Sequence, residues 1–335
     1  MRIALDAMGG DRGSELIIQG ALYALRENAD FEIILLGPED YLAEQLTEQS
    51  IDSSLSDRLH IVHAPETITM NESPVEAVRR KKNSTIMIGF DLVRNGLADA
   101  VVSAGNSGAT MASAVKKLGR LKGISRPGIA SLFPTLKNPV MIMDLGANVD
   151  CRPQHLVQFA IMASSCIGRI LEIDKPRVGL LSIGEEAGKG NSLVKETHEM
   201  LSATSLNFIG NVEGRDVYRG DVDVIVCDGF VGNISLKVSE GLAEAAMLML
   251  KSEIEKSFSA KVGYLLMRKA FANFRKRVDY AEYGGAPLLG INGVGIVSHG
   301  KSNSTAIKNA IEVASVMIQN RVNDTIIKAL AGYTS

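Results

Sequence analysis

The feature that most constrains this chain is an alternation of short apolar segments with longer helical patterns. Most of the apolar segments end in a glycine-rich or acidic turn, and a helical pattern of about 10–20 residues then follows. Such alternation predicts an α/β fold with a parallel sheet covered by helices. The segments are nearly continuous in apolar residues, which predicts central strands buried on both faces. They are Ile3–Leu5, Phe31–Leu36, Leu59–His63, Ala100–Ser103, Val140–Met143, Val178–Ile183 and Val222–Cys227.

The length and composition are those of an ordinary folded protein. With 335 residues, 46% of them apolar and 22% charged, the chain can bury a large core, and disorder, collagen-like repeats and coiled coils are poor explanations. Its 32 glycines and 5% aromatic residues favour an α/β fold over an aromatic-rich β-sandwich. No linker marks a boundary near residue 150, so we expect a single α/β domain over residues 1–335.

Charge, cysteines and the N-terminus restrict the partners and the location. The 36 Lys and Arg residues nearly balance 38 Asp and Glu residues, so no nucleic-acid partner is expected. The cysteines, at positions 151, 166 and 227, lie in apolar segments, which indicates buried thiols in a reducing compartment. The first apolar stretch is too short for a signal peptide, and no run of about 18 apolar residues occurs. We therefore expect a cytoplasmic protein.

Two helix beginnings can be read directly. Ser73, Pro74 and Glu76 combine an N-cap, a first-turn proline and the Ser-x-x-Glu spacing of a capping box. Residues 14–27 carry an apolar stripe at helical spacing, so we expect this helix to pack on the sheet.

Five strand ends carry residue types that bind anions. Glycine lets backbone N–H groups approach a ligand, and a helix N-terminus stabilises negative charge. In an open parallel sheet such ends line one crevice, where we expect residues 103–109 to be the best phosphate cradle. The alternative is that each turn merely connects a strand to a helix. The turns are Asp6–Asp11, Ser103–Ala109, Asp144–Asn148, Gly184–Gly190 and Asp228–Asn233.

Some side chains near strand ends are candidates for chemistry. Asp6, Asp144 and Asp228 can each bind a metal, act as a base or simply cap a helix. Lys189, flanked by glycines, can neutralise a phosphate, although an exposed lysine is usually only solvated. His299 can act as a general acid, or it can be an ordinary packed or surface histidine.

Residues 295–302, GIVSHGKS, match the P-loop pattern G-x-x-x-x-G-K-S letter for letter. A P-loop needs a strand before it, and residues 290–294 make a poor central strand. Only helix-like sequence remains downstream to build a nucleotide-binding sheet, so we interpret the match as accidental. No G-x-G-x-x-G fingerprint follows a predicted strand, which argues against dinucleotide binding.

Cys227 is a candidate acyl-accepting nucleophile, because thioester chemistry often uses a thiolate. It ends an apolar segment and precedes Asp228, an environment that should raise the thiol pKa. We therefore expect a buried, unreactive thiol.

Two basic stretches complete the candidates. Residues 79–82 read Arg-Arg-Lys-Lys, which is usually a solvated face. Residues 267–278 read as a basic amphipathic helix, within a segment near 240–280 that we expect to protrude. This helix can pack internally, form a dimer contact, or bind an anionic membrane surface or an acidic helical protein. The candidate contact residues are Arg268, Lys269, Phe271, Phe274, Arg275 and Lys276.

Ordered blocks along the chain resemble those of the bacterial phosphate acyltransferase family, PlsX. The N-terminal MRIALDAMGGD looks like the family's signature. Ser107 stands where the family often has Thr, and Lys301 where a small or polar residue is usual, which also suggests an accidental P-loop match. The further blocks, in family order over nearly the whole chain, are Ala77–Asn83, Ser103–Ala109, Asp144–Asp150, Asn207–Glu213, Asp228–Asn233 and Tyr283–Pro287.

The resemblance implies transfer of a long-chain acyl group from acyl carrier protein to inorganic phosphate, with no cofactor or metal. The acyl phosphate product would serve phospholipid synthesis through a downstream membrane glycerol-phosphate acyltransferase. The resemblance also implies a homodimer, peripheral association with an anionic membrane surface, and a three-layer α/β/α fold. That fold, with its mostly parallel sheet, is similar to the isocitrate dehydrogenase and phosphotransacetylase group.

We hypothesise that bound phosphate attacks the thioester carbonyl directly, without an acyl-enzyme. The expected catalytic residues are Lys189, Asn233 and His299. The expected phosphate- or substrate-binding residues are Asp6, Gly9, Gly10, Ser103, Asn106, Ser107, Gly108, Asp144, Asn148 and Asp228.

Two other functions remain open at this point. A metal- and nicotinamide-dependent dehydrogenase of the related fold would need a carboxylate cluster and a nucleotide cleft. A membrane-associated scaffold would bind vesicles through the amphipathic helix without turnover.

Overall fold

The computed structural model describes residues 1–49, 52–278 and 284–333. Within these residues eleven strands form one sheet in the order β3-β2-β1-β4-β11-β10-β5-β6-β9-β7-β8. The strands are β1 Arg2–Asp6, β2 Glu32–Gly37, β3 Leu59–His63, β4 Ala100–Ser103, β5 Gly128–Phe133, β6 Val140–Met143, β7 Val178–Leu181, β8 Phe208–Val212, β9 Val224–Val226, β10 Ala286–Leu289 and β11 Val294–Val297.

Helices cover both faces of this sheet, and a short 3₁₀ helix spans Gly214–Tyr218. The α-helices are α1 Ser14–Glu27, α2 Glu39–Glu48, α3 Ser53–Ser56, α4 Pro74–Arg80, α5 Thr85–Arg94, α6 Ser107–Leu118, α7 Pro153–Ile170, α8 Ser192–Ser202, α9 Gly229–Lys256, α10 Phe258–Leu266, α11 Arg268–Val278, α12 Ser304–Gln319 and α13 Val322–Tyr333.

Two apolar cores, one on each face, give the three layers. The larger core packs α1, α7 and α12 against the sheet, and the smaller one packs α5 and α6 on the opposite face. The α/β/α architecture expected from the resemblance is therefore confirmed. It arises because the strand residues of the central sheet are apolar on both sides.

The sheet is mostly parallel, but its direction reverses in the middle. Neighbouring strands are parallel except at the pairs β11–β10, β10–β5 and β5–β6. The carboxyl ends of β1, β4 and β11 therefore lie together on one side of the sheet, where the strands end, and we call this side the first edge. The carboxyl ends of β6, β9 and β7 lie at the opposite ends of the strands, which we call the second edge. The expectation that all five turns share one crevice is wrong in this respect, because it assumed a fully parallel sheet.

All seven predicted strands are present, with differences at their ends and in their positions. Leu59–His63 is an edge strand and not a central one, as the polar His60 and His63 within it suggest. Residues Val294–Val297 form a central strand beside β4, but only Val294 of the predicted poor strand at residues 290–294 belongs to it, so that prediction is confirmed. Strands β5, β8, β10 and β11 were not predicted.

Both predicted helix beginnings are present. α1 spans residues 14–27 as expected, and it packs chiefly against α12. α4 begins at Pro74 after Ser73, but the Ser73 side chain makes no capping hydrogen bond, so the predicted capping box is absent.

The C-terminal part of α9, together with α10 and α11, forms a helical arm beyond the sheet. α9 is buried only at Gly229 and Gly232, and α10 has no buried residue. Among the described residues, no helix is both long enough and apolar enough to cross a membrane.

Candidate active site

At the first edge, a buried hydrogen-bond network joins the turns after β1 and β4. The Ser103 hydroxyl donates to Asp6 Oδ2 at 2.7 Å and accepts from the Gly105 N–H at 3.0 Å. Burial raises the pKa of Asp6, partly opposed by its hydrogen bond from Ser103. A Cβ atom at Gly9 would lie 2.6 Å from Asp6 Oδ2, so this close approach requires glycine. The close contacts of Asp6, Gly9 and Ser103 thus fix the position of the turn at residues 103–109 relative to β1.

A second link ties the β1 turn to the loop after β11. Gly10 has a φ of +95°, and the Asp11 N–H donates to the Gly300 carbonyl oxygen at 2.7 Å. The turns after β1, β4 and β11 consequently form one continuous surface at the first edge.

Asn106 caps α6 and also anchors the loop before α4. Its side-chain oxygen accepts from the Ala109 N–H at 3.0 Å. Its Nδ2 donates to the carbonyl oxygens of Thr69, Met70 and Glu72 at 3.1–3.3 Å. These contacts shape the N-terminus of α6, and the role of Asn106 in binding phosphate stays a prediction.

The turn at residues 103–109, the predicted phosphate cradle, contains the N-terminus of α6. The N–H groups of the first helical turn have no partner within the helix, and the helix dipole favours negative charge there. Ser107 begins this helix and lines a cavity, and Gly108 packs against Pro74 of α4.

A cavity of about 250 Å³ lies between β5 and α9, and we call it the inner cavity. Ile129, Ser131 and Phe133 alternate along β5 and face it, and Leu236 of α9 covers it. Polar residues gather at the first edge, around Ser107 and the loop after β11. These polar lining residues include Ser107, Lys237, Glu240, Ser298 and His299.

His299 has a fixed orientation at this polar end. Its Nδ1 accepts from the Lys301 N–H at 3.0 Å, so the neutral imidazole carries its proton on Nε2. Burial, followed by the nearby Lys237 charge, lowers the His299 pKa. Lys237 Nζ lies 3.4 Å from His299 Nε2 and pairs with Glu240 at 2.8 Å. The arrangement offers an N–H donor and a cation side by side.

At the second edge, Asp144 organises the turn after β6. Its carboxylate accepts from the N–H groups of Ile129, Ala147 and Asn148 and from Asn148 Nδ2, at 2.7–3.2 Å. Burial nevertheless raises its pKa. Asn148 Nδ2 also donates to the Pro127 carbonyl oxygen at 2.7 Å. The hydrogen bonds of Asp144 and Asn148 therefore join the turn after β6 to the start of β5.

Asp228 caps α9, which was one of its predicted roles. Its side chain accepts from the N–H groups of Phe230 and Val231 at 2.9 and 3.0 Å. Gly232, packed on the Asp144 turn, lies in the first turn of this helix at the second edge. α9 then crosses the sheet face, bringing Asn233 and Lys237 into the inner cavity. This helix is what connects the two edges.

Lys189 is not brought to this site. It is exposed in the loop after β7, at the second edge. It lines neither the inner cavity nor the larger space between the helical arm and the loop after β11. Of the three expected catalytic residues, only Asn233 and His299 share a cavity.

The remaining sequence candidates can also be placed. Burial raises the pKa of the Cys227 thiol far above its ordinary value, as expected for an unreactive cysteine.

The P-loop match does have a strand and a helix around it, but Gly295 lies inside β11 and α12 begins only at Ser304. The loop therefore lacks the form of a phosphate-binding P-loop. Among the described residues, no group of three His, Cys, Asp or Glu side chains is placed to bind a metal.

A second cavity of about 1200 Å³, the outer groove, lies between the helical arm and the loop after β11. It shares Lys237, Glu240, Ala243 and His299 with the inner cavity. Its further cationic lining residues are Arg12, Lys251, Lys261, Arg268 and Lys301.

The predicted contact helix forms as α11. Arg268 and Phe271 line the outer groove, whereas Phe274 is 51% exposed. The side chains of Arg275 and Lys276 lie outside the described residues, as does Tyr283 of the last resembling block.

Sequence reasoning missed Lys237, Glu240 and Ser298. Asn233, Lys237 and Glu240 are spaced four and three apart, which places them on one face of α9. Because Asn233 was already a candidate site residue, this spacing could have predicted that Lys237 and Glu240 lie on the same side of the helix as Asn233.

Comparison with known proteins gives consistent results across the whole chain. The family model described as "Fatty acid synthesis protein" matches residues 1–325. A phosphate acyltransferase of Geotalea uraniireducens is 52% identical over 330 residues, covering 98% of this chain and 94% of that relative. One from Pelobacter propionicus is 53% identical over 331 residues, covering 99% and 94% respectively.

Solved structures with a similar fold include a phosphotransacetylase and a branched-chain phosphotransacylase. A phosphotransacetylase from Streptococcus pyogenes has a TM-score of 0.65 at 18% identity, covering 95% of this chain and 94% of that one. A branched-chain phosphotransacylase from Enterococcus faecalis has a TM-score of 0.56 at 12% identity, covering 95% and 99%. At these identities the likeness establishes the fold alone.

Proposed function

The chain belongs to the fatty acid synthesis protein family, whose similar members are named phosphate acyltransferases, and from this premise we propose the following reaction. The protein is an acyltransferase that moves a fatty acyl group from the thioester of acyl carrier protein to inorganic phosphate. The main observation that supports this proposal is the inner cavity. This largely apolar space opens at the N-terminus of α6, beside the Lys237 cation and the N–H donor of His299. This combination suits an acyl chain and phosphate together.

Phosphate is proposed to bind at the N-terminus of α6. The first-turn N–H groups at Ser107 and Gly108 would donate to its oxygens, and Lys237 would neutralise its charge. Asn106, Ser103 and Asp6 act indirectly, by fixing the helix start through their hydrogen bonds. Holding phosphate beside the thioester supplies much of the rate enhancement through proximity.

In the reaction step, a phosphate oxygen forms a bond to the thioester carbonyl carbon. The carbonyl oxygen becomes an oxyanion, which the Nε2–H of His299 and the Lys237 cation would stabilise. Collapse of this intermediate breaks the C–S bond, and the released thiolate takes the proton that the attacking hydrogen phosphate gives up, which yields the carrier's thiol. Acyl phosphate is the other product, and no acyl-enzyme is formed.

The direct-attack mechanism has its own test. Cys227→Ala and Ser107→Ala should both retain phosphate-dependent turnover, and acid quenching should trap no acyl group on the protein. A covalently trapped acyl group would contradict direct attack.

Lys189, the cation first expected to bind phosphate, lies at the second edge, so it would bind phosphate only at a site other than the N-terminus of α6. Lys189→Ala and Lys237→Ala separate the alternatives through the KM for phosphate. We expect the KM to rise strongly in Lys237→Ala. A rise confined to Lys189→Ala would place phosphate at the other edge.

The helical arm is proposed to contact acidic partners. Its outer groove presents several cations next to His299, which fits an acidic carrier protein delivering a thioester. Charge reversal at Lys269 and Lys276 should weaken binding to the carrier or to anionic vesicles. If binding of both is unchanged, α11 is not the contact surface.

Self-association and downstream transfer are also proposed. Exposed apolar residues on α9 and α10, such as Leu248 and Leu266, suit a homodimer contact or a peripheral membrane contact. Light scattering at several concentrations tests the dimer. The acyl phosphate would then pass to a membrane glycerol-phosphate acyltransferase.

The deciding experiment measures acyl phosphate formed from the carrier thioester, with and without inorganic phosphate and with no added metal. Phosphate-dependent product supports the proposal. An intact thioester after long incubation would contradict it and favour a scaffold or a dehydrogenase.

A further inference from the structure

We infer that the inner cavity holds the first carbons of the acyl chain and that Ser131 and Ala286 set how many carbons fit. This inference rests on the proposed function, because the acyl thioester is its substrate. It adds what that function leaves open, namely where the chain lies and what limits its length.

The inner cavity has one polar and one apolar end. Ser107, Ser298 and His299 lie at the first edge, where the reacting carbonyl is proposed to sit. Toward the second edge the lining is Ile129 and Leu145, which are 9% and 5% exposed, together with Asn233 of α9. A chain with its carbonyl at His299 would therefore run along β5 toward an apolar floor.

The dimensions of the cavity limit the chain. Ile129 and Phe133 are four residues apart on one face of β5, a span of about 13 Å at ~3.3 Å per residue. An extended chain that advances ~1.3 Å per carbon–carbon bond would fit about ten carbons in this depth. The volume of about 250 Å³ holds roughly eight groups of water size, at ~30 Å³ each. Both measures are upper limits, because phosphate and the carbonyl share the polar end of the cavity, and they limit the chain to at most eight to ten carbons.

Two small residues lie midway along this path. Ser131 faces the cavity between Ile129 and Phe133, and both Ser131 and Ala286 are half-buried. Leu288 of β10 pairs with Ile129 of β5, so the antiparallel register places Ala286 opposite Ser131. A larger side chain at position 131 would fill the middle of the cavity, and one at position 286, which pairs with Val297, would fill it next to the polar end.

The test measures kcat/KM with butyryl, octanoyl and decanoyl carrier thioesters. Each buried methylene is worth about fourfold in kcat/KM, and a leucine at position 131 or 286 takes the room of two to three carbons. Ser131→Leu and Ala286→Leu should therefore lower the decanoyl-to-butyryl ratio at least tenfold. Ser202→Leu, the same change at an exposed position at the end of α8, should leave the ratio within twofold.

Thermal melting identifies variants that fail to fold, and either of the two filled variants suffices for the test. An unchanged ratio in a folded variant would overturn the inference, although phosphate-dependent turnover of the wild type would leave the proposed function intact. Calorimetric binding of decanoate adds a readout that needs no turnover. Binding weakened at least tenfold in the filled variants supports the inference, and equal binding contradicts it.

Discussion

A single methyl group at the start of α9 should disturb both stability and catalysis. Gly232 packs on the turn after β6, where a Cβ atom would lie 3.0 Å from the Asp144 carbonyl carbon and 3.0 Å from Cys227 Sγ. It would also overlap the Asp144 carbonyl oxygen. These neighbours are backbone and a fully buried side chain, so neither can move aside easily. In Gly232→Ala the helix start must move instead.

The expected magnitudes follow from this crowding. Overpacking of this kind costs about 1–3 kcal/mol in the free energy of unfolding. α9 also carries Lys237 to His299, and a displacement on the order of 1 Å at a reacting centre costs about 10²-fold in rate. We therefore expect Gly232→Ala to be less stable in urea denaturation and to lose about 10²-fold in kcat.

The same helix offers a matched control. A Cβ atom at Gly241 would meet no heavy atom within 4 Å, so Gly241→Ala should gain about 0.8–1 kcal/mol through helix propensity. If Gly232→Ala unfolds at the same urea concentration as the wild type, the tight docking of α9 on the Asp144 turn is not a real constraint. If it is destabilised but fully active, the link from this docking to Lys237 is refuted.

Three further outcomes are expected. His299→Ala should lower kcat by about 10²–10³-fold through loss of an oxyanion donor, whereas His60→Ala on the distant edge strand should not; equal activity of both would remove His299 from the mechanism. Because the pKa of His299 is lowered in the fold, its Nδ1 should gain a proton only as pH falls below 6.5 through the lowered value; Nε2–H persists, but Nδ1 can then no longer accept from the Lys301 N–H that orients the ring, so kcat should fall there, and a pH–kcat profile tests this. The pKa of Asp6 is raised above 3.8, so its contribution to stability is fully present below 3.8 and declines as pH rises through the raised value; denaturation of wild type and Asp6→Asn across this range should show that loss only in the wild type.

The local features of the fold could largely be predicted, because each depends on residues close together in the sequence. The apolar segments became strands, the stripe at residues 14–27 became α1, and Pro74 began α4. β5 and β11 escaped prediction because their serine and glycine residues weaken the apolar signal, although both lie at the centre of the sheet.

The candidate site could be predicted only in part. The turn at 103–109 does contain a helix N-terminus that borders a cavity, and Asn233 and His299 both line that cavity. Lys189 was grouped with them because it follows a strand, but the reversal of strand direction places it at the other edge. Asn106 and Asp144 looked like ligands, yet their polar atoms are engaged by backbone groups.

The sequence by itself therefore determined the secondary-structure pattern, the α/β class and the glycine turns, since helix and strand periodicity are local properties. The tertiary structure alone decided which turns share an edge, because strand direction depends on the antiparallel insertion of β5 and β10 between distant segments. It also decided that Lys237 meets His299 across 62 residues of chain. That contact requires α9 to cross the sheet face, and no local pattern specifies the path of a helix over a sheet.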